Sequence, residues 1–389
     1  MQQVYLDDPI ARAQSLGPTI SKAAEEIERT KLIPEVLLSK IHKARLARML
    51  LPKLYGGDEL DPGVYLLVLE EISGHDASVG WNLFVANSAA LITPFVSSDT
   101  VRAIYDDERA IISWGPPDSQ RAKVVDGGYI LNGRWHFASG CRQATWMGAH
   151  CPIEEKDGSL RLNEMETPSI TTFLFPIDKV AILDTWDTIG LSGTGSESYE
   201  VNDLFVPEAF TGTREQPEKR TINGPLYWFT QQGLYAVGVA AVALGVARAM
   251  LKAYMDLAKA KTPRGQSRLA DQNSVHSLVA QSEARLSSGK AYLLNVLAEG
   301  VASADDYSVM AVSERARLRL ATTNAILGSI EVADRIHKAA GVSAIFSGSG
   351  PFERRFRDIH TLSQQIQSRD GHFETVGRIM LGEPPSVFY

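Results

Sequence analysis

Between Ala110 and Pro207 the apolar residues stop recurring at every third or fourth position. They fall instead into short runs, AIISWG, RAKVVDGGYIL, NGRWHFASG, TTFLFPI, KVAILDTWDTIG and SYEVNDLFVP, separated by turn residues. Runs of this length and texture are strands. Asp126-Gly127 and Asn132-Gly133 supply residues that tolerate positive φ, so VVDGGYILNGRWHF reads as strand, turn, strand, turn, strand. On both sides of this block the spacing is helical. SKAAEEIERTKLIPEVLLSKIHKARLARML, with Pro34 as an expected first helical position, is followed by the loop LPKLYGGDELDPG and a second helical run, VYLLVLEEISGHDASVGWNLFVANSAALI. After the polar linker TGTREQPEKRTINGP helical spacing returns to the C-terminus, broken at Thr262-Pro263, at Gly300 to Asp306 and at Gly341 to Pro351. The chain is therefore expected to be mainly α with a central β domain. The expected divisions are an N-terminal helical domain over 1–109, a β domain over 110–210 and a helical bundle over 224–389, with room for four helices of bundle length. No short-period repeat supports a solenoid or a propeller.

The 389 residues exceed what one hydrophobic core usually organises. A net charge of −7 leaves no footprint for a polyanion, so nucleic acid is not an expected partner. Two cysteines, Cys141 and Cys151, make no disulfide framework, and MQQVYLDDPIARA has neither a basic nor an apolar leader region, which makes the cytoplasm the default expectation. The most apolar run, AVGVAAVALGVA, stops at Arg248, short of the roughly 20 residues that span a bilayer. It reads as a buried helix, with no membrane partner.

Several patterns invite sharper readings than their setting supports. GLSGTGS leads into a strand, whereas a dinucleotide fingerprint must open a helix, and Pro351 in FSGSGPF stands where a phosphate loop needs a free N–H. The eight histidines show no HxxxH or HExxH pair and there is no CxxC, so no metal is expected. FASGC lacks the setting of a nucleophile elbow. What remains is NGRWHFASGCRQATW, where strand alternation puts Trp135, Phe137 and Ser139 on one face. An aromatic wall with one hydroxyl fits a sandwich or barrel core. It also fits a planar apolar ligand held by a few placed hydrogen-bond groups.

Helices, β domain and helical bundle in this order resemble the acyl-CoA dehydrogenase fold, over nearly the whole chain. DGGYILNGRWHFASGCRQATW resembles that superfamily's flavin-binding strand region, TWDTIGLSGTGSESYEVNDLFVPE its second block, and AAGVSAIFSGSGPFERRFRDIHTLSQQIQ its C-terminal block. FASGC in place of the dehydrogenases' WITNA-like sequence is similar to the flavin-dependent monooxygenase branch, the oxygenase components of two-component systems. The resemblance implies reduced flavin, FADH2 or FMNH2, with O2 as co-substrate and a C4a-hydroperoxide as the oxygenating species. It also implies a separate NAD(P)H-dependent flavin reductase and a homotetramer built through the bundle. It places Trp114, Phe137, Ser139, Trp186, Arg264 and Gly341 at the flavin. Ser139 matches the position whose hydroxyl lies near N5, and Arg264 the position that reaches a phosphate, often of a neighbouring subunit.

Two departures bear on the substrate. A dehydrogenase would need a Glu base, but the stretch reads SRDGHFETVG with Glu374 outside the family setting, and SWGPPDSQ replaces the dehydrogenases' TEP-containing loop. Aromatic hydroxylases of this branch carry a His in the second helical run and another after the RFRD helix. Here the matching stretches, VANSAALI and TLSQQIQ, leave Asn87, Ser88 and Gln365. Amides are not bases, so a phenol would lack its activator, whereas indole is already nucleophilic at C3. The expected substrate is thus a small aromatic molecule, indole or an indole acid, bound by Asn87, Ser88 and Gln365, with Ser139 and Gln365 as the expected catalytic groups. His360 and His372 stay open as bases from other positions. An acyl-CoA dehydrogenase-like thioester oxidase and an N- or S-oxygenase of the same fold are the alternatives.

Overall fold

The computed structural model describes residues 7–163, 166–214, 216–304, 310–347 and 350–385. The first segment is helical: α1 (Pro9–Thr30), α2 (Glu35–Lys43), α3 (Pro62–His75), α4 (Ala77–Ala90) and α5 (Ser98–Tyr105). Pro34 stands at the cap of α2, one position before the place expected for it. Asp61 caps α3 by accepting from Gly63 N at 2.7 Å, and Asp76 caps α4 by accepting from Val79 N at 3.0 Å. Since α3 ends at His75 and α4 begins at Ala77, the two helices meet at one residue. That elbow fixes where the side chains of α4 point.

The strands are β1 (Ile112–Gly115), β2 (Arg121–Val125), β3 (Gly128–Ala138), β4 (Trp146–Glu154), β5 (Ile170–Pro176), β6 (Ala181–Leu183), β7 (Glu197–Pro207) and β8 (Thr211–Gly212). They form one sheet in the order β6-β7-β3-β2-β4-β5-β8, with β1 added to β4. The turn expected at Gly127 is present with φ 80°, but Gly133 does not break the chain into separate strands. Residues 128–138 run as one strand, irregular beside Gly133, against β7.

α6 (Pro225–Trp228) leads into three long helices, α7 (Gln231–Ala260), α8 (Asn273–Ser303) and α9 (Val312–Ala340). The remaining stretch, expected as one more bundle helix, is divided into α10 (Glu353–Leu362) and α11 (Gly371–Met380), ten residues each. The AVGVAAVALGVA run lies in α7, which is long and apolar enough to cross a membrane by length and composition, yet its most apolar window is 83% buried within the fold. Its glycines are packing devices. A Cβ on Gly245 would lie 2.3 Å from the Glu70 carbonyl oxygen of α3, and one on Gly238 would lie 2.7 Å from the Phe84 ring of α4. A single apolar cluster runs from Ile27 through Trp135 to Val246, so the helical segments and the sheet share one core.

Candidate active site

The end of β3 departs from strict alternation. The two residues between Trp135 and Ala138 face a single residue of β7, the one between Tyr199 and Glu197, and within this bulge Phe137 adopts φ 61°. The bulge separates the residues expected on one face. Trp135 is wholly buried, stacked on Tyr199 at 5.6 Å with its Nε1 donating to the His150 carbonyl, and is core. Phe137 is turned out, 65% exposed.

Ser139 is buried, and its hydroxyl lies in an ordered chain. Trp81 Nε1 donates to Ser139 Oγ at 3.0 Å; Ser139 and Ser196 hydroxyls are 2.7 Å apart, as are Ser196 and Thr194; Thr194 donates to the Leu191 carbonyl. Each hydroxyl has one proton. With Thr194's committed to Leu191, Ser196 must donate to Thr194 and Ser139 to Ser196. Ser139 is left with one acceptor lone pair and no proton to give.

Beside Phe137 stands Trp186, edge-on with ring centres 6.3 Å apart. Its position is set by Glu197, a fully buried carboxylate whose Oε2 accepts from the backbone N–H of Thr185 and Trp186 while Oε1 accepts from Nε and Nη2 of Arg142. Trp186 Nε1 donates to Leu191 O at 3.1 Å. Leu191 itself has φ 52°, and its N–H donates to Asp358 of α10 at 2.7 Å. Burial, with the nearby charge of Asp76 second, pushes the Asp358 carboxyl up to about 7. A Cβ at Gly190 would lie 2.2 Å from the Arg357 carbonyl oxygen, so only glycine lets this loop lie on α10.

On the inner side of Ser139 an aromatic cluster spans four elements. Trp81 and Phe84 of α4 meet edge to face at 4.8 Å, Phe84 and Tyr235 of α7 at 4.9 Å, Tyr235 and Trp114 of β1 at 5.6 Å, and Trp114 and His150 of β4 at 5.0 Å. Half-buried Gln365 accepts from Gln367 N through Oε1 and lies against the Tyr235 hydroxyl. Burial, with the charge of Arg214 second, drives His150 down to about 3, so this imidazole is neutral and a poor base at ordinary pH. Trp114 Nε1 and Asn82 Oδ1 are sealed from solvent without a partner.

The other expected site residues stand elsewhere or are already occupied. Asn87 is wholly buried and spends every polar group on the fold: Oδ1 accepts from Leu50 N, and Nδ2 donates to the carbonyls of Leu46 and Leu83. It has nothing left for a substrate, which corrects the reading of Asn87 as a substrate ligand. Ser88 is likewise buried and donates to Val85 O one turn back. Arg264 is exposed after α7, where neighbouring Lys261 binds Ala340 O and Ser343 Oγ, so Arg264 and Gly341 belong to one end of the bundle, with no contact to Phe137 or Ser139 among the described residues. His360 pairs with Asp334, His372 with the Ile366 carbonyl, and Glu374 is exposed on α11; none joins the aromatic cluster. The Cys141 thiol is pushed up to about 11 by burial and is no nucleophile. Among the described residues no group of three His, Cys, Asp or Glu could hold a metal ion. Trp81, Ser196, Thr194, Tyr235, His150 and Arg214 were not foreseen, since strand pairing, the α4 elbow and the packing of α7 on α4, none of them visible in the local sequence, bring them together.

Two family models match the chain. Acyl-CoA dehydrogenase, N-terminal domain, covers residues 16–100, and acyl-CoA dehydrogenase, C-terminal domain, covers residues 237–369, together more than half of the length. The chain is 28% identical to an indole-3-acetate monooxygenase of Acinetobacter baumannii over 94% of this chain and 92% of that one. It is 26% identical to the flavin-dependent monooxygenase, oxygenase subunit HsaA, of Rhodococcus jostii over 90% and 91%. Among solved structures, XiaF from a Streptomyces species, in complex with FADH2 and glycerol, superposes with a TM-score of 0.88 over 98% of this chain and 97% of that one, at 23% identity, a likeness of fold.

Proposed function

The chain belongs to the acyl-CoA dehydrogenase family, in its flavin-dependent monooxygenase branch, and on that premise we propose that it is the oxygenase component of a two-component system that hydroxylates indole or an indole acid. A separate NAD(P)H-dependent reductase supplies the reduced flavin. The residues present fit such a cofactor. Exposed Phe137 and the half-buried Trp186 offer an apolar wall that the fold itself leaves uncovered, and Ser139 beside them presents a lone pair with no proton. Reduced flavin bears an N–H at N5, which is a donor, and an acceptor-only Ser139 suits it. Arg264, exposed and unpaired among the described residues, is available to a phosphate of its own or a neighbouring chain's cofactor. Exposed Val342, Ile345 and Phe346 support assembly of copies through this end of the bundle.

When bound, reduced flavin supplies the O2-activating chemistry. The protein's role is to bind and orient the aromatic substrate and to exclude water. Trp81, Phe84, Tyr235 and Trp114 form walls suited to a flat ring, and Gln365 with Tyr235 can hold a ring N–H or hydroxyl without removing a proton. The observation that carries the choice of substrate is the lack of a base in this cluster: the one imidazole there, His150, is kept neutral and weakly basic. A substrate that needs deprotonation is poorly served, and an electron-rich indole ring needs none. Glu374, exposed on α11, offers no buried base for thioester oxidation.

The test is single-turnover reaction of the protein with chemically reduced FAD or FMN, indole or indole-3-acetate, and labelled O2. One labelled oxygen atom in the indole product supports the reading. Quantitative H2O2 with no product from either compound, alongside labelled product from a phenol, overturns the substrate class. Bleaching of oxidised flavin by an acyl-CoA thioester overturns the reaction class.

A further inference from the structure

We infer that Arg214 holds the carboxylate of an acidic aromatic substrate. The inference rests on the aromatic-substrate reading above and narrows it from an indole to an indole acid. Registered pairing sets the geometry. Trp114 pairs with Gly148 on β4, His150 lies two residues on, His150 pairs with Thr172 of β5, and Thr172 pairs with Gly212 of β8. Side chains alternate along strands, so Trp114, His150 and Thr172 share one sheet face. Two residues past Gly212, Arg214 brings its guanidinium near enough to His150 for its charge to oppose protonation of that ring.

This guanidinium is unusual in the fold. Its Nη1 is sealed from solvent with no hydrogen-bond partner, and no carboxylate among the described residues pairs with it. The buried arginines elsewhere in the fold are neutralised or bonded: Arg12 by Asp58, Arg48 by the carbonyls of Tyr105 and Asp107, and Arg319 by the Gln367 side-chain carbonyl. A half-buried cation with a sealed and unfilled donor is a standing cost to the fold, and such a group calls for an anion. On the other side of His150, Trp114 Nε1 is a second buried donor without an acceptor. Two unfilled donors, one of them charged, thus border an aromatic cluster that contains no free base. A flat ring lying against Trp114, Tyr235 and Phe84 with a carboxylate at Arg214 gives the charged donor its acceptor. Guanidinium and carboxylate match in a two-point, charge-assisted geometry that a neutral indole cannot reproduce.

The test compares equilibrium binding of indole-3-acetate and its neutral analogue indole-3-acetamide to the full-length protein by calorimetry, for the wild type, Arg214→Met and Arg214→Lys, with Tm measured for each. The wild type is expected to prefer the acid by about 10- to 100-fold, the worth of a hydrogen bond to a charged group. Arg214→Met should abolish that preference by weakening the acid far more than the amide, Arg214→Lys should keep some of it, and the Tm of Arg214→Met should equal or exceed the wild type because an uncompensated charge is gone. Equal wild-type affinity for acid and amide overturns the proposal while leaving the indole reading intact. A fall in Tm with equal weakening of both ligands makes Arg214 a structural residue and also overturns it. Binding of neither compound overturns the aromatic-substrate reading and this proposal with it.

Discussion

Phe137 combines a bulky side chain, a left-handed backbone at φ 61° and 65% exposure. Each works against stability, since an L residue at positive φ is strained and an exposed ring gains nothing from burial. Phe137→Gly is expected to raise the stability of the flavin-free protein by about 1 kcal/mol in urea unfolding and to weaken flavin binding by about tenfold, the worth of one aromatic contact. A loss of stability would instead make Phe137 a packing residue. Ser139 works in the opposite sense. Ser139→Ala strands the buried Trp81 N–H and should cost about 1–3 kcal/mol, whereas in a Trp81→Phe background the same change should cost about 1 kcal/mol less. Additive losses would mean that the 3.0 Å contact carries no energy. The sequence marked Phe137 and Ser139 as candidates, but the shared face with Trp135 was misjudged because one extra residue in a strand is invisible to a count by twos.

At the scale of elements, the order of helices, strands and helices was legible because apolar periodicity is set locally by which face is buried. The long breaks at Pro263 and Gly341 were legible for the same reason. The division of the last helix into α10 and α11 was not, because 363–370 carries no proline or glycine, and the break is held by tertiary partners such as Ser368 on the Leu362 carbonyl. Nor was the purpose of the glycines in AVGVAAVALGVA, which only the approach of α3 reveals. Gly245→Ala puts a methyl 2.3 Å from a backbone oxygen that cannot swing aside. It should lower stability by about 1–3 kcal/mol, the usual penalty of overpacking, against a helix-propensity gain of up to about 1. Thermal unfolding decides the balance, and an unchanged or higher Tm would show that α3 and α7 separate freely.

Over the whole molecule two buried groups tie distant elements together and titrate in opposite directions. Asp358 of α10 faces Asp76 at the start of α4, Arg354 and Arg355 of its own helix, Glu28 of α1 and the Leu191 N–H, and its carboxyl is raised to about 7. His150 of β4, facing Arg214, is lowered to about 3. For Asp358 the native state holds a proton that the unfolded chain has lost above about 4, so between pH 4 and 7 its contribution falls as pH rises. For His150 the unfolded chain takes up a proton below about 6.5 that the native state refuses down to about 3, so its contribution rises with pH over that window. Each slope is at most about 1.4 kcal/mol per pH unit, and between about pH 4 and 6.5 the two oppose. Removing either group should unmask the other. Relative to the wild type, Asp358→Asn should lose stability on acidification from pH 6.5 to 4, while His150→Gln, which keeps a partner for Thr172, should gain it over the same range. Urea unfolding at several pH values reads both differences, in which the remaining surface groups cancel. Parallel curves for the two variants would mean that neither group is as buried from protons as its surroundings imply. Neither effect could be read from the sequence, because burial, the main cause of both shifts, is set by packing, and the charge that adds to it, Asp76 for Asp358 and Arg214 for His150, comes from more than sixty residues away.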